Sequence, residues 1–562
     1  MALSSTNLAL YCLLCLAISL ASSHPAYESF LHCLSLHSSP STNFSQLIYF
    51  PNTDSYSSLL LSSIQNLRFA SPTTPKPLLI LQPADESQIQ ASVICCRIHS
   101  LPMRVRSGGH DYEGLSYRSD QDSRFILLDL AGLRSVSVDT EHGIAWVQSG
   151  ATLGELYYRI AEKSSHHGFP AGLCPTVCVG GHLSGGGWGN LIRKYGLAAD
   201  NILDATFVDA NGRLLDRESM GEDLFWAIRG GGGESFGVIV SWKVRLVPVP
   251  PTVTAFTLRR TLEQGAIELL NKWQYVAHKL HEDLYLKVHI QPEECGEKGV
   301  VAVFESLFLG SCAELLQHIG KSFSELGVKR NDCREMSWIQ SVLYYARYNN
   351  GEPMEILLDR SLQPKEFSKS KSDYVKDPIP LSGWEGIWRR FLEQGAGFMV
   401  MDPHGGRMSE ILESEIPFPH RQGNLFNIQY LVRWKDSGAS ASEKHLAWVG
   451  RMYRYMRPYV SKHPRSAYLN YRDLDLGKNE EGNTSYSTAK VWGRKYFRNN
   501  FKRLAIVKGE VDPEDFFWSE QSIPPLIVNK ETRSRWIGFK ELISKPRPLI
   551  KRFLRLATDV LL

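Results

Sequence analysis

Short apolar runs separated by turn residues organise the first half of the chain. LLIL at 78–81, MRVRS at 103–107 and FILLDL at 125–130 predict strands, and the alternation in SVSVDTEHGIAWVQ (135–148) predicts a hairpin. The period then changes. Thr152 can cap a helix running to about Ser165, with Glu155 completing a capping box. ILDATFVDANGRLLD predicts two strands about the Asn211-Gly212 turn. EDLFWAIRGGGGESFGVIVSWKVRLV predicts a helix, a glycine run at 230–233 and a strand. Composition changes at Pro248-Val249-Pro250-Pro251. Beyond it, strand patterns at 284–291, 299–309 and 423–433 alternate with helical ones near 312–326 and 443–457, an α+β arrangement with an antiparallel sheet flanked by helices. Residues 24–70 are Ser- and Leu-rich with mild helical spacing and lead into the stiff SPTTPKP segment. The aromatic, turn-rich stretch 464–530 is expected to return to the first domain. The predicted divisions are 1–23, 24–71, 72–248, 249–463, 464–530 and 531–562.

Composition narrows the function classes. The chain has 562 residues, 43% hydrophobic and 22% charged, enough for a large core and more than one domain. A net charge of +4 gives nucleic-acid binding no support. The apolar run Leu8 to Leu20 is too short to span a bilayer and precedes the small residues Ala21 and Ser23, so 1–23 reads as a secretory signal, with a membrane anchor as the alternative. No later stretch reaches the roughly 18 apolar residues of a spanning helix. Eight cysteines follow the signal, and an oxidising compartment favours disulfides among them. Asn43 and Asn483 begin glycosylation sequons. Residues 531–562 carry eight Lys/Arg against three acidic residues. They read as a solvated helix or tail, or as a sorting or membrane-surface segment.

Two glycine-rich stretches carry the candidate chemistry. GLCPTVCVGGHLSGGGWG (172–189) has seven glycines and no charged side chain. Its bare amides could cradle a diphosphate, and its setting among strand patterns argues against a flexible linker. RVRSGGHDYEGLSY (104–117) places two glycines before His110. A lone histidine is more often structural, but His110 and Cys174 together could anchor one ligand. Zinc lacks companion ligands at either residue, so no metal is expected. A Cys–His protease pair lacks a helix N-terminus for the thiolate.

RSGGHDYEGLSY, AGLCPTVCVGGHLSGGGWG, RKYGLAADNILDA, DLFWAIRGGGGESFG and YLNYRDLDLG, in this order, resemble the berberine bridge enzyme-like proteins of plants, flavoproteins of the vanillyl-alcohol-oxidase superfamily. The resemblance covers about 28–527. It implies a PCMH-type FAD-binding domain of two subdomains and a substrate domain whose antiparallel sheet covers the flavin. It implies bicovalent FAD, with His110 on the 8α-methyl carbon and Cys174 on C6. Phosphate contacts fall to the backbone of Arg106, Ser107, Gly108, Gly109 and His110 and of Gly180, Gly181, His182 and Gly185. Asn201 follows that loop, and Gly232 lies toward the adenosine. The resemblance also pairs Cys33 with Cys95, leaving Cys96 spare, and makes Val177 a gate admitting O2. Cys178 stands where many members have glycine.

By the same resemblance, Tyr112 and Tyr471 lie near the flavin. Gln429 replaces the glutamate base of the reticuline-oxidising members, and an amide cannot accept that proton. Asn427 and Trp188 replace the lysine and tyrosine of the monolignol-oxidising branch. Tyr486 matches the tyrosine base of the cannabinoid-cyclising members. Strand alternation puts Gln429, Leu431 and Arg433 on one face, where Arg433 is either an inward cation or an exposed edge residue. His289 could face the same cavity. The expected function is a monomeric FAD oxidase of the secretory pathway, in apoplast or vacuole. It would take a hydride from a phenolic or prenylated aromatic metabolite, or a related alcohol, to flavin N5, Tyr486 or Tyr471 would take the proton, and O2 would become H2O2. A carbohydrate oxidase, a pericyclase using FAD without net redox, and a flavoprotein with an idle pocket are the alternatives.

Overall fold

A computed structural model describes residues 25–38, 44–120, 124–293, 299–348, 351–361, 364–480 and 484–528. The signal, both sequon asparagines and the basic tail lie outside them.

The short apolar runs become three main sheets. Leu79–Leu81 and Met103–Arg106 each pair in parallel with Ile126–Asp129, and Ile48–Tyr49 adds an antiparallel edge. Asp85 caps the connecting helix Glu86–Ile98, whose apolar face packs on this sheet. A five-stranded antiparallel sheet follows, ordered Val136–Asp139, Ile144–Gln148, Gly237–Arg245, Ile202–Asp209, Leu214–Leu215. The helix Leu153–Lys163 has the capping box its sequence predicts, Thr152 accepting from Glu155 N and Glu155 accepting from Thr152 N. The Pro248–Pro251 region is no free linker, because Val247–Pro248 pairs with His167–Gly168.

A seven-stranded antiparallel sheet spans residues 253–434. Its order is Arg334–Met336, Val253–Arg260, Val300–Phe308, Leu284–Pro292, Phe398–Pro403, Phe426–Trp434, Phe367–Val375. One face packs against the helices Ala266–Val276, Leu381–Phe391 and Ala439–Tyr455 around Trp273, Trp384 and Trp448. The other face looks toward the glycine-rich loops. Phe426–Trp434 lies inside the sheet, so Arg433 is not on an edge strand, but it is exposed while lining the cavity.

Several predicted limits move. The strand expected at 423–433 begins at Phe426, and the helix expected at 443–457 is Ala439–Tyr455. The helix at 312–326 ends at Ser322 and continues as a separate 3₁₀ turn, Ser324–Leu326. The stretch 464–530 holds two helices, Tyr486–Phe497 and Asn500–Val511, which bury Trp492, Phe497 and Phe501 in the core that also contains Phe225 and Trp226. Cys33 is bonded to Cys95, and Cys312 to Cys333, a second disulfide that no motif announced. Both fit an oxidising compartment. Among the described residues no helix is long and apolar enough to cross a membrane.

Candidate active site

The glycine loops and the open face of the seven-stranded sheet enclose a cavity of about 740 Å³. This is within the usual range for cofactor and substrate sites. Its walls include Ser107, Gly108, Gly109, His110 and Tyr112 from one loop and Cys174, Val177, Gly180, Gly181, His182 and Gly185 from the next. Strand alternation delivers Gln429, Leu431 and Arg433 from the sheet, and Tyr285, Lys287, His289 and Gln291 from a second strand. Tyr468 and Tyr471 close it from the C-terminal segment.

The backbone of the loops explains their composition. Gly109 has φ +68°, and a Cβ there would sit 1.8 Å from the Ser63 carbonyl oxygen, so no other residue fits before His110. A Cβ on Gly185 would strike Asn470 Oδ1 at 1.9 Å. Gly181 differs: it lines the cavity, and a Cβ on it would meet nothing within 4 Å. Its backbone is therefore open to a ligand. A cavity of this size with a bare backbone wall fits an extended dinucleotide such as FAD.

Thr176 sits between the two proposed anchors. Its Oγ1 is 3.0 Å from His110 Nε2 and 3.7 Å from Cys174 Sγ. Burial pushes the His110 imidazole down to about 4, so it is neutral at pH 7 with a nucleophilic nitrogen. Burial does the same to His182, whose Nε2 accepts from Gly172 N at 2.9 Å. Cys178 packs against Gly108, with its Sγ 3.3 Å from both the Gly150 carbonyl oxygen and Arg360 Nη2. Burial raises its thiol to about 12, making it inert at neutral pH.

On the sheet side, the Gln429 amide donates to the Tyr112 hydroxyl at 2.9 Å and to Ser370 Oγ at 3.1 Å. Burial raises both Tyr112 and Tyr471, whose rings meet edge to face at 6.2 Å. Both are protonated at pH 7. Burial also holds His289 at about 4. Burial alone would raise Glu305, but Lys287 at 2.9 Å, His289 and Arg347 at 2.6 Å outweigh it and hold the carboxyl at about 2.

Three expected site residues do not line this cavity. Tyr486 stacks on Phe501 at 5.4 Å in the C-terminal helix pair, so the helix phase takes it from the site and it cannot be the base. The Arg106 side chain turns into the protein, pairing with Asp129 and donating to the carbonyls of Leu59 and Leu60. Asn201 donates to the carbonyls of Tyr195 and Leu197 and fixes a turn. Conversely, sequence reasoning missed Thr176, Ser370, Tyr285 and Asp402. Thr176 lies two residues from Cys174 and was within reach of inspection; the others meet only through strand register.

Known proteins agree with this architecture. A family model described as FAD binding domain matches residues 77–217, and one described as berberine and berberine like matches 467–524. A tetrahydroberberine oxidase of Berberis wilsoniae is 56% identical over 519 residues, 91% of this chain and 96% of the relative. The structure of Phl p 4, a grass pollen allergen with glucose dehydrogenase activity, is 49% identical with a TM-score of 0.85, covering 89% of this chain and all of that one. An isoleucine-to-valine variant of Phl p 4 is a glucose oxidase. Berberine bridge enzyme from Eschscholzia californica is 41% identical with a TM-score of 0.83, covering 89% of this chain and all of that one. With this fold, this cavity and this likeness along most of its length, the chain belongs to the berberine bridge enzyme-like family of FAD-dependent oxidoreductases.

Proposed function

We propose that the protein is an oxidase of an aromatic plant alkaloid, removing a hydride from a carbon bonded to a tertiary ring nitrogen. The observation that carries this reading is the acid–base inventory around Tyr112. Its hydroxyl meets the Gln429 amide, and both Tyr112 and Tyr471 are raised by burial, so neither takes a proton at pH 7. A reaction that deprotonates an alcohol or phenol beside the Tyr112 hydroxyl as the hydride leaves finds no acceptor in Gln429 or the two tyrosines. Once the amine is unprotonated, loss of a hydride beside its nitrogen needs no acceptor in that step, because the lone pair itself forms the C=N⁺ bond. The similarity to a tetrahydroberberine oxidase supports the same class. FAD, when bound, supplies the two-electron acceptor and passes the electrons to O2, giving H2O2.

His110 and Cys174 are the proposed covalent tethers, Thr176 holding both at one point. The loop backbones at 107–110 and 180–185 bind the diphosphate. Val177 lines the cavity and leaves room for oxygen. In the Phl p 4 neighbour an isoleucine-to-valine change separates oxidase from dehydrogenase, so one methylene suffices to decide oxygen use in this fold. The proposed setting is the secretory route to apoplast or vacuole, as a monomer.

A second reading, oxidation of a phenol, rests on Arg433, whose charge favours an anionic Tyr112 and would do the same for a substrate phenolate. Anaerobic mixing decides between them. A cyclic tertiary amine should bleach the flavin absorbance, and its N-methylated quaternary salt, which has no lone pair, should not. Bleaching by phenols or glucose but by no amine would sink the alkaloid reading.

A further inference from the structure

The cavity floor carries a carboxylate that the chemistry above leaves unused. Asp402 lies on the strand Phe398–Pro403, and Phe398 and Val400 line the same cavity from the same face. It is 5% exposed. The Tyr285 hydroxyl on the next strand donates to its Oδ1, and Trp188 Nε1 donates to that hydroxyl at 3.1 Å. Its Oδ2 has no hydrogen bond or ion pair among the described residues. The cationic side chains of Lys287 and Arg347 are committed to Glu305. Lys287 acts on Asp402 across space, but a buried carboxylate with no cation in direct contact is costly and calls for a partner.

The adjoining wall is aromatic. Trp188 meets Tyr468 with ring centroids 6.3 Å apart, Tyr468 meets Tyr471 at 5.0 Å, and Tyr471 meets Tyr112 at 6.2 Å. Ring faces attract organic cations. We propose that Asp402, oriented by Tyr285 and Trp188, anchors the protonated nitrogen of the substrate and takes its N–H proton before oxidation. The inference rests on the alkaloid reading. An ammonium substrate has no free lone pair, so it cannot lose a hydride until that proton leaves. The balance closes: R3NH⁺ gives its proton to the carboxylate, the neighbouring C–H bond then breaks with its electron pair, and a C=N⁺ bond forms. That pair and both hydrogens end on O2, so R3NH⁺ and O2 give the iminium ion and H2O2, and Asp402 returns to carboxylate. Burial raises the Asp402 carboxyl, which suits uptake of a proton. The charged and titratable groups facing it are Tyr285, Lys287 and Glu305 on neighbouring strands and Tyr468 and Tyr471 from the C-terminal segment.

The test is binding to the flavin-loaded protein, read from the flavin spectrum, with benzyltrimethylammonium and its neutral isostere neopentylbenzene. Neither can be oxidised at nitrogen, so the readout is independent of turnover. The wild type should bind the cation at least tenfold more tightly than the hydrocarbon. Asp402→Asn should lose that preference while keeping its affinity for the hydrocarbon, Asp402→Glu should recover part of it, and Tyr285→Phe should weaken cation binding alone. Equal affinity of wild type and Asp402→Asn for the cation, or no cation preference in the wild type, overturns the anchor. Should the asparagine variant not fold, the wild-type pair of ligands still decides. Cation selectivity without oxidation of any amine would instead sink the alkaloid reading and leave the anchor standing.

Discussion

Cys174 and His110 approach each other through one hydroxyl; as the two proposed tethers, each should keep its own flavin bond when the other is lost. Denatured wild-type protein should stay yellow. Cys174→Ala should retain flavin on the His110 peptide by mass, and the His110→Ala, Cys174→Ala double variant should release it. At Gln429, a glutamate would place a carboxylate against the Tyr112 hydroxyl. Gln429→Glu should raise kcat/KM for phenolic substrates by on the order of 10² and add an acid limb to its pH profile; an unchanged profile would remove the base argument. Val177→Leu should slow reoxidation by O2 in stopped-flow mixing while anaerobic reduction keeps its rate. Most of these residues were legible because their signal is local: glycines before His110, a cysteine in a glycine loop, alternation along one strand. Tyr285 and Asp402 were not, since they lie 117 residues apart and meet only in register. Tyr486 misled because matching a motif fixes a position in the chain and says nothing of helix phase.

Elements with compact apolar runs announced themselves, and those with mixed faces did not. FSKSKSDYV (367–375) is a full edge strand that hydropathy alone hides. Its Ser368 lines the cavity and its Ser370 holds Gln429, while the lysines reach acidic residues of other segments. Lys369 pairs with Glu113 and with Asp473 at 2.7 Å, and Lys371 with Asp473 at 2.8 Å and Asp475 at 2.6 Å. This buried network joins the Tyr112 loop, the sheet edge and the Tyr471 segment. Removing Lys369 would leave the buried Glu113 without its close cation, while Asp473 keeps Lys371, so Lys369→Met should cost about 3–5 kcal/mol in urea denaturation, and Lys369→Arg much less. The strand FMVMDP (398–403) was hidden for the opposite reason, since its apolar residues show no clean alternation, yet it supplies Asp402. The second disulfide, Cys312–Cys333, joins a helix start to a turn whose neighbourhood is set by the sheet.

At the scale of the molecule, buried neutral histidines set the acid response. Burial holds His182 and His289 at about 4 and His404 at about 3. In the unfolded chain each titrates near 6.5. Their folded values are depressed, so the stability they contribute is complete above pH ~6.5 and is lost as pH falls through the folded values. The melting temperature should decline from pH ~6.5 toward 4, before the depressed Glu305 carboxyl at about 2 contributes. A flat melting temperature between pH 7 and 5 would contradict neutral burial. The walls of the cavity have a further consequence, for the timing of synthesis. The two proposed anchoring loops are complete by Gly189, but Tyr468 and Tyr471 come much later, and Phe517, Trp518 and Ser519 later still. Roughly 300 residues separate Cys174 from Tyr471, a delay of roughly 15–60 s at ordinary translation rates. Through that interval the nascent chain carries both proposed anchors with no closed wall around them. Cofactor capture is therefore expected of the finished chain, and a polypeptide released before Tyr468 should hold the proposed anchors without that wall.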